Sequence, residues 1–257
     1  MIKKWFKPFE KIANNQKAII IAFWIIGLFA FWFISTAGQK HLFPSPAQVW
    51  DGFVALWNEG LVVHVFSSIG LCFKAALISL IISCIIVYLS PLPFLKPIAQ
   101  FLSKLRYLPL TGITFYLVIL ANNARTMQVY VLVIFMSLYF ITSLLAVLKD
   151  IPQEEIDHAR SLKCSRWEVL WEVVIKGRLD YMLEVLRQNL AIVWMMLVTV
   201  ESILIAAGGI GVLIKNSEKF MNHGRVFALQ IVILLVGLLL DWLLNAIRKS
   251  LFKYSTF

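Results

Sequence analysis

Six apolar blocks set the terms on which this chain can fold, at residues 18–34, 69–89, 107–121, 129–148, 190–207 and 226–244. An α-helix needs about 20 residues to cross roughly 30 Å of hydrocarbon, with a working range of about 17–25. Five blocks meet that length at their apolar cores. The third is the shortest and contains Pro109, so it has to borrow residues from its flanks or lie tilted. Lipid offers no hydrogen bonds to the backbone, so a span has to satisfy its own, as a helix does. The pattern predicts an all-α membrane protein with about six transmembrane helices. Composition agrees: 60% of the 257 residues are hydrophobic and 15% charged, against roughly 45–50% and 25% in soluble globular proteins.

The net charge of +10 could point to a nucleic-acid partner, but its distribution argues for a bilayer and against nucleic acid. With the N-terminus placed in the cytoplasm, 18 of the 24 Lys and Arg fall in the inner segments, five in the outer ones, and Lys74 lies inside a block. Such a bias is what the positive-inside rule predicts, and it puts both termini in the cytoplasm. Ser35-Thr36-Ala37 resembles a signal-cleavage site. The preceding apolar core of 17 residues exceeds the roughly 7–15 of a cleaved signal, which favours an uncleaved first span. The three cysteines, Cys72, Cys84 and Cys164, have neither disulfide nor metal-site spacing.

Residues 1–17 are basic, with Trp5, Phe6, Phe9 and Ile12 interleaved. They read either as an interfacial helix or as a charged flank that sets topology. Residues 18–257 read as one membrane domain. In its first outer loop Ser45 is a good N-cap, Pro46 suits the first helical position and Gly60 can end the helix. Val49, Phe53, Leu56 and Trp57 then share a face, which predicts a short amphipathic helix on the outer surface.

The longest polar stretch, 149–189, lies on the cytoplasmic side. Ala159, Leu162, Trp167, Leu170, Trp171 and Val174 recur at helical spacing, broken near Cys164-Ser165, and Ser165 with Glu168 forms a capping-box pattern. The loop therefore reads as helix, turn, helix, with an apolar stripe but no core of its own. Such a surface needs a cover: the membrane domain, lipid or a cytoplasmic partner.

This loop resembles the EAA loop of the permease subunits of bacterial ATP-binding-cassette importers, whose pattern is Glu-Ala-Ala, three residues, Gly, nine residues, then Ile-x-Leu-Pro. Here the frame is Asp157-His158-Ala159, Arg160-Ser161-Leu162, Lys163, and nine residues later Val173-Val174-Ile175-Lys176. Leu42-Phe43-Pro44-Ser45-Pro46 and the run 194–211, with Glu201 and Gly208-Gly209-Ile210-Gly211, are similar to the branch that imports nitrate, sulfonates and taurine. Two departures stand out: Lys163 replaces the motif glycine and Lys176 the motif proline. Glycine serves where φ is positive, and another residue there costs about 1 kcal/mol.

The resemblance implies a permease in the bacterial inner membrane, paired with a second permease subunit as a homodimer. Cytoplasmic ATPase subunits would dock on the loop, and an extracytoplasmic binding protein would deliver a small anionic solute. No phosphate-cradling Gly-x-x-x-x-Gly-Lys-Ser/Thr run occurs, so ATP hydrolysis is expected on a separate subunit and no cofactor on this one. On the loop, Asp157, Ala159, Leu162, Lys163, Arg166 and Trp167 are the expected ATPase contacts. The competing reading packs Leu162 and Trp167 on the inner ends of the spans. A structural subunit without a path, a stand-alone carrier and a membrane enzyme are the other classes. The enzyme is disfavoured because His41, His64, His158 and His223 fall in separate loops, outside any His-Glu-x-x-His or Gly-x-Ser-x-Gly pattern.

Lys74 and Glu201 are charges inside apolar blocks and candidates for the solute path. A lone charge at the membrane centre costs on the order of 2.5–3.5 kcal/mol, so each needs a partner. Counted from their block ends the two share a depth, about 8–9 Å below the outer boundary. Three readings stand: the residues pair, or Lys74 meets solute, or Lys74 snorkels to the headgroups while Thr199 or Ser202 caps Glu201.

Overall fold

The structure, a computed structural model, describes residues 14–36, 43–120, 123–205 and 208–251, and all regular structure among them is helical. The reading of residues 1–17 as an interfacial segment falls mostly outside the described residues. In order, the helices are α1 (Asn14–Ser35), α2 (Pro46–Asn58), α3 (Leu61–Tyr88), α4 (Lys96–Lys104), α5 (Leu110–Leu120), α6 (Ala124–Lys149), α7 (Gln153–Ser161), α8 (Arg166–Val169), α9 (Leu179–Ile203), α10 (Ile210–Lys219) and α11 (His223–Leu251). Five helical stretches are long and apolar enough to cross a membrane: Gln16–Ser35, Leu61–Tyr88, Ala124–Lys149, Arg166–Ile203 and His223–Ser250. They coincide with five of the six apolar blocks.

The third block yields only α5, 11 residues long, about 17 Å of rise and too short to span alone. Pro109 explains the interruption. It forces the preceding residue out of the helical region, and Leu108 is extended (φ −70°, ψ 134°). The chain reaches α5 through α4 and a tight turn at Leu105–Tyr107, so this passage is a broken helix.

α3 and α6 form the centre of the bundle. Their seam is built from small residues: Ala75, Ala76, Ser79 and Ser83 of α3 are buried against α6. Small side chains let helix backbones approach without an aqueous hydrophobic drive, and hydroxyls add interhelical bonds. Ser79 Oγ donates to Val133 O at 3.2 Å and Ser83 Oγ to Ser137 O at 3.1 Å. Phe140, Ile141 and Leu144 continue the core toward the C-terminal end of α6.

The outer helix predicted over 46–59 is α2. Ser45 Oγ accepts from the Gln48 N–H while the Gln48 side chain accepts from the Ser45 N–H, a capping box, and Gly60 follows the helix at φ 88°. Val49, Gly52 and Leu56 are buried, whereas Trp50 and Trp57 are exposed on either side of half-buried Phe53, whose ring centroid lies 6.0 Å from each of theirs. Amphipathic rings of this kind suit a membrane–water interface. Glu59 accepts from Arg225 at 2.6 and 3.0 Å and ties α2 to α11. α1 touches the bundle near its C-terminal end, where the Trp32 indole donates to Pro44 O (3.1 Å) and packs on Phe227 (5.5 Å between centroids).

Candidate functional site

Two places gather the residues singled out by sequence. The first is a buried polar node where α3, α9 and α10 meet. Glu201, two residues before the end of α9, is completely buried. Its carboxylate accepts from Ser68 Oγ at 2.7 and 2.9 Å and from the Gly211 N–H at 3.0 Å. Ser68 Oγ in turn accepts from the Ile210 N–H at 2.9 Å, and His64 Nδ1 accepts from the Gly209 N–H at 3.3 Å. The first N–H groups of a helix have no partner within it, and an anion is stabilised there. Glu201 and Ser68 therefore cap α10 from outside, and they hold three helices to one point.

The geometry separates Lys74 from Glu201. Ser68 is the α3 residue opposite Glu201, and Lys74 lies six residues further along α3, about 9 Å deeper and about 240° around the axis. Counting from block ends misplaced Lys74 because its helix begins at Leu61, well before its apolar block. The expected caps also go elsewhere: Thr199 and Ser202 hydroxyls donate to backbone carbonyls of α9 itself. A cation, Arg125, is held beside this node, bonded to the residue next to Ser68. Arg125 is fixed by Ser67 (2.9 and 3.0 Å) and by Gln128 (3.1 Å), whose amide donates to Leu204 O. Ser68, Arg125 and Gln128 carried no local signal, since each sits among residues of its own kind of segment and acquires its role through a contact distant in sequence. The Lys74 side chain is exposed on α3.

The second place is the polar loop between α6 and α9. α7 carries Asp157 and Ala159 and ends at Leu162; Ser165 caps α8, accepting from the Glu168 N–H while Glu168 accepts at 2.6 Å from the Ser165 N–H. The expected helix, turn, helix is present. The turn closes with Lys163 N–H donating to Arg160 O (2.9 Å) and Cys164 N–H to Ala159 O (3.3 Å), the paired bonds of a Schellman ending. That ending needs a left-handed residue, and Lys163 has φ 61°. The motif-glycine position thus keeps the glycine conformation with a lysine in it. Lys163→Gly is expected to stabilise the turn by about 1 kcal/mol. Hydrogen exchange at the 163 and 164 amides should slow about five-fold, and unchanged exchange would mean that the strain is relieved elsewhere.

At the motif-proline position the outcome is different. The Lys176 N–H donates to Trp171 O and Glu172 O within a widened turn at Leu170–Ile175, and its ammonium meets Glu172 at 2.7 Å. Proline has no N–H to donate. With lysine there, α8 runs through this turn and a tight one at Lys176–Arg178 into α9, making one helical stretch from Arg166 to Ile203. Arg178 pairs with Glu155 at 2.9 Å and ties this stretch to α7. Leu162 and Trp167 are 67% and 63% exposed, and so are not packed on the inner ends of the spans. Asp157 and Arg166 are exposed as well, and Ala159 is partly so.

Comparison with known proteins follows the same lines. Residues 17–253 match the family model described as the inner membrane component of binding-protein-dependent transport systems. The chain is 33% identical over 147 residues to the taurine transport system permease protein TauC of Escherichia coli, covering 57% of this chain and 51% of that one, so it spans about half the length of this relative. It is 26% identical to the bicarbonate transport system permease protein CmpB of Synechocystis (91% of this chain, 89% of that one), and 25% identical to the nitrate import permease protein NrtB of the same organism (88% and 86%). Among solved structures, an amino acid ABC transporter crystallised with histidines shares the fold at a TM-score of 0.55 and 18% identity, covering 83% of this chain and 98% of that one. The chain is a multi-pass membrane protein belonging to the family of binding-protein-dependent transport system inner membrane components.

Proposed function

We propose that this chain forms the membrane path of an ATP-driven importer for a small oxyanion such as a sulfonate, nitrate or bicarbonate. Two copies pair in the inner membrane with both termini cytoplasmic, the broken α4–α5 passage serving as the remaining crossing. An extracytoplasmic binding protein delivers the solute, and separate ATPase subunits dock on the loop through Asp157, Ala159, Leu162, Lys163, Arg166 and Trp167. The solute class rests on the three relatives named for taurine, bicarbonate and nitrate.

One observation within the chain carries the reading further. Lys74 is the fourteenth of the 28 residues of α3, and its side chain is exposed. About 20 Å of helix lies on either side of it, further than a lysine stem reaches when it snorkels to a headgroup. A cation held there against lipid costs on the order of 2.5–3.5 kcal/mol. That cost is avoided when this face of α3 lines a wet path, where an ammonium attracts an anion. Glu201, sealed and bonded, leaves the path and becomes part of the scaffold.

The test is uptake of taurine, nitrate and bicarbonate into vesicles holding the permease with its ATPase and binding protein. Charged hydrogen bonds contribute about 1.5–3 kcal/mol, so Lys74→Gln is expected to lower uptake at least ten-fold below saturation. Normal uptake by Lys74→Gln would remove Lys74 from the path. If none of the three anions stimulates ATP hydrolysis, the oxyanion reading fails and a subunit without a path becomes the better account.

A further inference from the structure

The cytoplasmic end of the molecule has a groove that the loop alone does not make. It lies between the turn after α3, Pro91-Leu92-Pro93, and the helical loop, and encloses about 500 Å³. Its less exposed lining is apolar, from Leu92, Ile156, Leu170 and Val174, while Arg160, Arg166 and Trp167 stand exposed around it. Directly beyond the turn Phe94 is 81% exposed. An apolar floor with aromatic and Arg side chains at its edge is the composition of a binding hot spot.

We infer that the turn 91–94 is the second half of the ATPase docking surface, and that the groove receives apolar side chains of the ATPase flanked by carboxylates. This rests on the importer reading above, in which the loop meets an ATPase. Charge selects the carboxylates. Arg166 makes no ion pair among the described residues, and Arg160 reaches Asp157 only at 4.0 Å with both side chains more than half exposed. Both guanidiniums can thus donate bidentate hydrogen bonds to carboxylates of a partner. Charge also selects protein over lipid. The same surface carries exposed Glu154, Glu155, Asp157, Glu168 and Glu172 among its cations, so it lacks the net positive charge by which an anionic inner leaflet would hold it. A mixed-sign surface fits a folded partner with its own mixed pattern.

The placement has a consequence for transport. The turn is the inner end of α3, the helix that bears Lys74 and Ser68. An ATPase seated in the groove therefore grips α3 and the 166–203 helix together, so closure of the ATPase pair moves both sides of the path.

The experiment measures ATPase binding to the purified full-length permease in nanodiscs, with and without anionic lipid. Leu92→Asp, Phe94→Asp and Arg166→Glu are each expected to weaken binding at least ten-fold, in both lipid compositions. A cysteine at 92, in a background without the three native cysteines, is expected to cross-link to the ATPase with an ATP-dependent yield. Ala159→Glu, on the loop itself, separates the two levels. If Ala159→Glu releases the ATPase while Leu92→Asp and Phe94→Asp bind normally and position 92 does not cross-link, the groove inference fails and the loop reading stands. If Ala159→Glu also binds normally, the importer reading beneath it fails. An effect of the groove variants confined to anionic nanodiscs would assign the groove to lipid and overturn the inference. Should Leu92→Asp fail to insert, the cross-link and the exposed Phe94 and Arg166 variants decide.

Discussion

Glu201→Ala is expected to lose both folded protein and transport, in proportion to each other. The carboxylate is the acceptor for the Gly211 N–H and the Ser68 hydroxyl, in a place with no solvent exposure. Truncation leaves both donors unsatisfied, each costing about 1–3 kcal/mol. Together the two losses are a large share of the stability of most domains. Ser68→Ala, which keeps the carboxylate, should cost about 1–2 kcal/mol, and Glu201→Gln should fall between. The measurement is the thermal midpoint of purified protein beside uptake per folded molecule. A path residue and a structural lock part company here. If Glu201→Ala keeps its midpoint and loses only uptake, the carboxylate serves the solute and the lock is wrong.

The second large effect is expected at Gly211. A Cβ there would collide with the Val198 carbonyl oxygen and would come within 2.7 Å of Glu201 Cβ and 2.8 Å of Ser202 N. Backbone cannot step aside as a flexible side chain can, so α10 would have to leave α9. Overpacking typically costs about 1–3 kcal/mol, and with a backbone obstacle Gly211→Ala should reach the top of that range, with Gly211→Val beyond it. Gly209 is tight for the same reason, since a Cβ would run into the Glu201 carboxylate and φ is 120°. Gly27→Ala is the control: nothing lies within 4 Å of its would-be Cβ, so the helix-propensity gain of roughly 0.5–1 kcal/mol should appear instead. Membrane abundance and thermal midpoint read both. A Gly211→Ala protein as stable as the parent would show that α9 and α10 can slide apart.

Much of this architecture was legible because lipid imposes simple rules. Length and hydropathy marked five spans, and Pro109 marked the passage that breaks. Capping chemistry is local, so Ser45 with Gln48 and Ser165 with Glu168 could be read within four residues of sequence. What could not be read depends on rotation and depth. Apolar blocks show where hydropathy begins, whereas α3 begins at Leu61, eight residues before its block, and that offset put Lys74 at the wrong height for Glu201. Ser68 meets Glu201 across 133 residues, and no spacing rule reaches so far. The turn at Pro91–Pro93 had no periodicity to attract notice, and its meaning comes from lying beside the loop.

Helix α9, which runs from the polar loop to the buried node, has a mechanical consequence. Its 25 residues make a rod about 37 Å long, with the loop joined at one end and Glu201 near the other. A rocking of only about 8° about its middle would displace each tip by roughly 2.5 Å, given that length. Such a stroke is comparable to the Ser68–Glu201 separation of 2.7 Å, so the far joint cannot absorb it unnoticed. Either the joint opens, freeing the start of α10, or it holds and α10 travels with the rod.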